Sequence, residues 1–149
     1  MTFVSMGAEF ALQTAQNFFN FKKGMVINMK KDNVIVDKSF DFAVRIVKLY
    51  QHLNSEKKEV VLSKQLLRSG TSIGANVSEA IRGQSQADFY AKLSIALKEA
   101  NETDYWLRLL YKTDYLTEKE YNSIYNDINE IIALLVAITK TLKNGGNQI

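Results

Sequence analysis

A helix-like rhythm of apolar positions runs through QLLRSGTSIGANVSEAIRG, residues 65–83, yet many positions that would normally carry Leu hold Gly, Ser, Ala or Asn instead. One row steps through Leu62, Leu66, Ser69, Ile73, Asn76 and Ala80, and a second through Leu67, Gly70, Gly74, Val77 and Ile81. Glycine inside a helix costs about 1 kcal/mol relative to alanine, so Gly70 and Gly74 need something to offset them. Close approach of a neighbouring backbone does this, as in small-xxx-small helix contacts, here in water rather than in lipid. The spacing therefore predicts a helix over about 61–81 pressed tightly against its neighbours. Ser69-Gly70 followed by Thr71-Ser72 also reads as a helix stop and a fresh N-cap. Both rows keep their phase through the glycines, which favours one continuous helix.

Three further helices follow from the same periodicity. After Asp37, Phe40, Ala43, Val47 and Tyr50 make one row and Phe42, Ile46, Leu49 and Leu53 another, ending in the polar loop NSEKKE, residues 54–59. That face is wider than one helix contact needs, so it must be covered from two sides. Ser85 with Asp88 resembles a helix-start capping pair. Phe89, Leu93, Ala96, Ala100, Thr103, Leu107 and Leu110 then alternate steps of four and three. Thr117 with Glu120 is a second capping box ahead of Tyr121, Ile124, Ile128, Ile131, Leu135, Ile138 and Leu142, and the pattern stops at Asn144-Gly145-Gly146. The chain contains no proline, which removes the commonest helix breaker. Four helices of about 20 residues joined by short loops predict an all-α, antiparallel up-down-up-down four-helix bundle.

The chain has 149 residues, 46% apolar and 23% charged, which suits a single globular domain. We place it at 33–144, after an N-terminal extension of 1–32 that is either poorly ordered or helical and before a tail of 145–149. The Phe-rich stretch around Phe10, Phe18, Phe19 and Phe21 belongs to that extension, and Met25 and Met29 are alternative starts. Glu9, Gln13, Gln16 and Asn17 break the apolar run that a signal peptide requires, and no stretch reaches the length of a membrane span. With no cysteine there is no disulfide framework or thiol nucleophile. A soluble, cytoplasmic protein is expected, with no membrane partner.

Catalytic constellations are scarce. A di-metal carboxylate bundle needs Glu-x-x-His pairs, and the sole histidine, His52, ends the first helix beside a loop. Glu79, Glu99 and Glu102 leave a carboxylate-only site conceivable, against solvated or salt-bridged glutamates. A hydrolase would have to recruit His52 to Ser69, Ser72 or Ser78 without a nucleophile elbow. Gly70 and Gly74 precede no Lys-Ser/Thr pair and follow no strand, so they form no phosphate loop. No catalytic residue, metal or cofactor is expected, and the chain reads as a non-enzyme. Asn76 and Glu79, three apart on one face, instead suggest a buried polar pair across a helix contact.

Charge and aromatics point to surfaces. Residues 30–82 hold ten Lys/Arg against six Asp/Glu, whereas residues 83–149 hold seven against nine. Lys38, Arg45, Lys48, Lys64, Arg68 and Arg82 come from the first two helices and their ends, with Arg45 and Lys48 on one face and Lys64 and Arg68 on another. Side by side, these faces would make a basic strip able to track phosphates, with Tyr50 as a stacking ring; the competing reading is an ordinary solvated surface. Tyr105, Trp106, Tyr111 and Tyr115 cluster near the end of the third helix. Core packing explains the tyrosines, while Trp106, beside the seam, also suits a subunit contact. Together with the wide apolar faces of the first two helices, this predicts a homo-oligomer.

The region 65–110 resembles the signature of the 23S rRNA intervening-sequence protein family. The resemblance extends over about 110 residues and rests on Gln65-Leu66, Arg68, Ser72-Ile73, Ala75-Asn76-Val77, Glu79-Ala80, Phe89, Leu93, Ala96, Ala100 and Glu102. Gly74 and Ala80 depart from that pattern, where Pro or another small residue and Gly are expected. The resemblance implies a left-handed four-helix bundle assembling as a cyclic homopentamer. The family is similar to the accessory proteins of diversity-generating retroelements, pentamers with basic surfaces that bind nucleic acid and a reverse transcriptase. By analogy this supports RNA or DNA as partners of the basic residues Arg45, Lys48, Lys64, Arg68 and Arg82, while Gly70, Gly74, Asn76, Glu79 and Trp106 are read from their spacing as packing and assembly positions. The alternative is a structural scaffold that docks a protein and no nucleic acid.

Overall fold

The structure is a computed structural model that describes residues 29–145. Among these residues there are four helices and no strand: α1 (Met29–Ser55), α2 (Leu62–Ile81), α3 (Gln86–Lys112) and α4 (Glu118–Gly145). The expectations for residues 1–28 and 146–149 fall outside the described residues. Each helix packs on the next in sequence, and α4 closes the set against α1.

The small-residue helix is unbroken, because the polar side chains at Ser69-Gly70-Thr71-Ser72 turn back on their own helix instead of starting a new one. Ser69 donates to the Gln65 carbonyl at 3.0 Å, Thr71 to Leu67 at 2.7 Å and Ser72 to Arg68 at 2.6 Å. A hydroxyl bonded to a carbonyl one turn back satisfies itself without spending a backbone N–H. Ser69 is thereby admitted to the core, where Thr103 of α3 lies 3.0 Å from its Oγ.

Gly70 and Gly74 face α1. A Cβ built on Gly70 would stand 2.9 Å from both Cγ1 and Cγ2 of Ile46, and one on Gly74 would stand 3.1 Å from the Ser39 carbonyl oxygen. These are the close approaches expected from the sequence. Farther along the same contact, Asn54 reaches Ser63 Oγ at 3.2 Å.

The core follows the expected rows. All seven positions of the α3 heptad are buried, and so are Ile124, Ile128, Ile131, Leu135, Ile138 and Leu142 of α4. On α1 the two rows part company. Phe42, Ile46 and Leu53 are buried, whereas Phe40 is 67% exposed and Val47 is 39% exposed. The wide apolar face of α1 is thus covered on one side within the single chain.

The Thr117–Glu120 capping box is complete: Thr117 N–H donates to the Glu120 carboxylate at 2.8 Å, and Glu120 N–H to Thr117 Oγ1 at 3.2 Å. At α3 one arm forms, from Asp88 N–H to Ser85 Oγ at 3.0 Å. The start of α2 was legible only as a polar loop, yet it holds the tightest cap. The buried Glu59 carboxylate accepts from the N–H groups of Val61 (3.0 Å), Leu62 (2.8 Å) and Ser63 (2.7 Å). Burial alone would raise its pKa, but these three donors outweigh it and hold the carboxyl below its ordinary range.

We expect Gly70→Ala to lower stability by about 1–2 kcal/mol, because overpacking against a stiff β-branched side chain outweighs the ~1 kcal/mol gain in helix propensity. Urea unfolding followed by circular dichroism measures this. A stabilised variant would mean that Ile46 gives way freely.

Candidate nucleic-acid interface

The five cations expected to meet phosphate divide into two classes. Arg45 and Arg68 are already engaged by carboxylates of their own chain. Lys48, Lys64 and Arg82 are exposed at the surface and, among the described residues, form no ion pair.

Arg45 belongs to the seam between α1 and α4. Along α1, Lys38, Arg45 and His52 stand seven residues apart, so they share one face. Lys38 pairs with Glu130 at 2.5 Å, and Arg45 binds Asp127 together with Ser123 Oγ at 2.7 Å. His52 Nε2 lies 3.8 Å from Glu120, beyond hydrogen-bond distance. Such exposed pairs set register more than they stabilise, since each is worth a fraction of a kcal/mol.

Arg68 bridges α2 to α3, forming a short ion pair with Glu102 and a longer one, 3.5 Å, with Glu99. Trp106 Nε1 donates to the same Glu102 oxygen at 3.2 Å. Arg68 first and Trp106 second hold the Glu102 carboxyl below its usual range, against the opposing effect of burial. Trp106 is half-buried, and the exposed Tyr105 meets it edge-on with ring centroids 5.0 Å apart. Tyr111 takes a different role, stacking on Tyr121 of α4 at 4.4 Å, while Tyr115 packs against the core. The aromatic group therefore divides between the α3–α4 interior and an exposed edge.

The buried Asn76–Glu79 pair expected from the sequence is not formed. Asn76 is half-buried and donates to the Ser72 carbonyl of its own helix at 2.8 Å. Glu79 is exposed and pairs with Lys92 of α3 at 2.6 Å. Three residues along a helix put the two side chains on one face, but that face lies at the rim of the α2–α3 contact, where lysine reaches the carboxylate from water. Glu59 was missed as a structural residue because the run of charged residues around it reads as solvated loop; its position four before Ser63 was the available signal.

Among the described residues no three His, Cys, Asp or Glu side chains converge as metal ligands, and no helix is long and apolar enough to cross a membrane. What the geometry offers, among the described residues, is a set of unpaired surface cations on α1, on α2 and just past its end, together with partly exposed apolar side chains on α1.

A family model described as 23S rRNA-intervening sequence protein matches residues 31–137. Among solved structures, the chain is similar to a protein with unknown function from the S23 ribosomal protein family of Bacteroides thetaiotaomicron VPI-5482. The two share 64% identity with a TM-score of 0.73, over 74% of this chain and 98% of the other. No curated protein matches the chain.

Trp106 is the sole tryptophan, so its fluorescence reports directly on Glu102. A carboxyl whose pKa is depressed by folding contributes stability that is present above its unfolded pKa and is lost as pH falls through the folded one. We expect the Trp106 emission of the native chain to titrate below the ordinary carboxylate range, and Arg68→Ala to move that transition to higher pH. An unmoved transition would remove Arg68 as the cause.

Proposed function

The chain belongs to the 23S rRNA-intervening sequence protein family, and we propose that it is a non-enzymatic, self-assembling bundle that binds RNA or DNA backbone through α1 and α2. The observation that carries the reading is that Lys48, Lys64 and Arg82 reach the surface without carboxylate partners, in a chain whose sequence pI is about 9.0. Unpaired, hydrated cations release phosphate counterions on contact without first breaking an internal ion pair. Arg45 and Arg68 would have to exchange a carboxylate for a phosphate, so they contribute less than their charge suggests. The cytoplasm is the compartment that this reading assigns.

The bundle is antiparallel, up-down-up-down, in this reading. Partner numbers support it: residues 38, 45 and 52 of α1 meet 130, 127 and 120 of α4, and residues 68 and 79 of α2 meet 102 and 92 of α3. One numbering rises as the other falls. Self-assembly, as a cyclic homopentamer by family resemblance, is supported by apolar side chains left in water. Val44 and Val47 on α1 are 40% and 39% exposed, and Ile95 and Tyr105 on α3 are 42% and 53% exposed. A cyclic ring needs two different complementary patches on each copy. The apolar exposure also favours a second reading, a scaffold that docks a protein such as a reverse transcriptase and binds no nucleic acid.

RNA and DNA titrations at several salt concentrations separate the two. We expect log affinity to fall linearly with log salt, and the triple variant Lys48→Ala, Lys64→Ala, Arg82→Ala to reduce that slope by about two to three. Absence of salt-sensitive binding at low ionic strength would sink the nucleic-acid reading. Light scattering behind a sizing column should give five times the 16.9 kDa chain mass. A monomer would refute the assembly.

A further inference from the structure

Unpaired positive charge gathers at one end of the bundle. In the antiparallel reading the α1–α2 loop (residues 56–61) and the α3–α4 loop (residues 113–117) share that end. His52 lies 3.8 Å from Glu120, and Lys57 of the first loop adds to the effect of the Thr117 N–H that holds the Glu120 carboxyl below its ordinary range. Lys57, Lys58, Lys64, Lys112 and Lys119 all stand exposed at this end, and among the described residues none has a carboxylate within salt-bridge distance. The acids there are outnumbered. Glu59 and Glu120 commit their carboxylates to backbone N–H groups, which leaves Glu56, Asp114 and Glu118.

Both loops are pinned. Glu56 N–H donates to the His52 carbonyl at 2.9 Å and Glu59 N–H to the Leu53 carbonyl at 3.0 Å, with Lys58 between them in the left-handed region at φ 56°. On the other loop Asp114 takes φ 65°, its N–H donates to Tyr111 at 3.2 Å, and Tyr115 N–H donates to Leu110 at 3.0 Å, the paired bonds of a Schellman helix end. Side-chain-bearing residues adopt that region uncommonly, and these hydrogen bonds hold the two loops in it. Lysines carried on such loops lose less freedom on binding than lysines of a floppy segment. Arg82 stands elsewhere. It is 18 positions from Lys64, about 27 Å at 1.5 Å per helical residue. That exceeds the screening length of about 10 Å in 0.1 M salt, so the two charges do not reinforce one field.

We propose that this loop end, with Lys57, Lys58, Lys64, Lys112 and Lys119, is the surface that contacts the backbone of a single-stranded nucleic acid, and that Arg82 lies outside it. The inference rests on the nucleic-acid reading and says where the strand sits. A phosphodiester backbone suits the site, because lysines are point charges that meet phosphate oxygens from many directions, without the planar fork by which arginine selects a carboxylate. Lys112 Nζ lies 5.6 Å from the centroid of Tyr111, whose ring stacks on Tyr121 and through it on Tyr125. Single-strand binders set aromatic rings of this kind beside a basic track. Val60 and Val61 are 48% and 68% exposed at the same end, but two valines are too few for the apolar face of a membrane contact.

The test titrates a fluorescein-labelled oligouridylate with the full chain at several salt concentrations. The triple variant Lys57→Gln, Lys58→Gly, Lys119→Gln removes charge from the loop end, and glycine accepts the positive φ at 58 without strain. Arg82→Gln, Lys140→Gln, Lys143→Gln removes the same charge from the other end. The first should lower the slope of log affinity against log salt by about two and weaken binding roughly tenfold to a hundredfold in 0.1 M salt; the second should leave both unchanged. In the native chain, bound oligouridylate should protect Lys57, Lys58 and Lys119 from acetylation by an N-hydroxysuccinimide ester more than Lys140 and Lys143, as read by mass spectrometry. That readout needs no variant to fold. Equal losses in the two triple variants, or equal protection of the two lysine sets, overturn the placement and leave nucleic-acid binding standing. Tighter binding to phosphatidylserine vesicles than to oligouridylate overturns it in favour of a membrane surface. A native chain that binds no oligouridylate at low salt defeats the nucleic-acid reading itself, and the placement with it.

Discussion

Two missing side chains on α2, at Gly70 and Gly74, set how closely α1 can lie and thereby the placement of everything attached to it. With no Cβ at Gly70, Ile46 can sit against the α2 backbone; with none at Gly74, the backbone of α1 itself at Ser39 can do so. Close-packed interiors transmit such displacements, so moving α1 outward by one methyl would also shift the ion pairs that join it to α4. The intrinsic cost of two glycines in a helix is offset by this close approach.

The two sides of α1 are held by different physics. Toward α2 the contact is steric, built on small residues and short distances. Toward α4 the visible links are exposed ion pairs at heptad spacing, each worth little by itself and sensitive to salt. The same division explains the fate of the basic candidates. Cations that face a neighbouring helix, Arg45 and Arg68, find carboxylates there, because an unpaired charge at a partly dry contact is costly. Lys48, Lys64 and Arg82 face water and remain free to meet another molecule.

Helix number, the continuous course of α2, the buried heptads of α3 and α4 and the Thr117–Glu120 box were all legible from residue spacing. These features depend on neighbours three and four positions apart, which is what a sequence displays directly. Glu59 was not legible, because a cap contributed from outside the first turn looks like any charge in a polar loop. The Asn76–Glu79 pair was misplaced for a related reason: spacing puts two residues on one face, and burial of that face depends on how far the next helix reaches around it. The basic strip was legible as composition and illegible as chemistry, since carboxylates 31 to 82 residues away in sequence decide which cations are free.

Residue order alone was enough to require long helices with apolar seams and two glycines in close helix contact, and to rule out thiol and Glu-x-x-His chemistry. Which cations are neutralised, that Glu79 meets Lys92 instead of Asn76, that Glu59 caps α2 and that Phe40 stands in water emerged once the helices were packed together. The physical reason is range. Helix propensity and periodicity act over three or four residues, whereas neutralisation, desolvation and exposure depend on atoms brought within a few ångströms by helices that are distant along the chain.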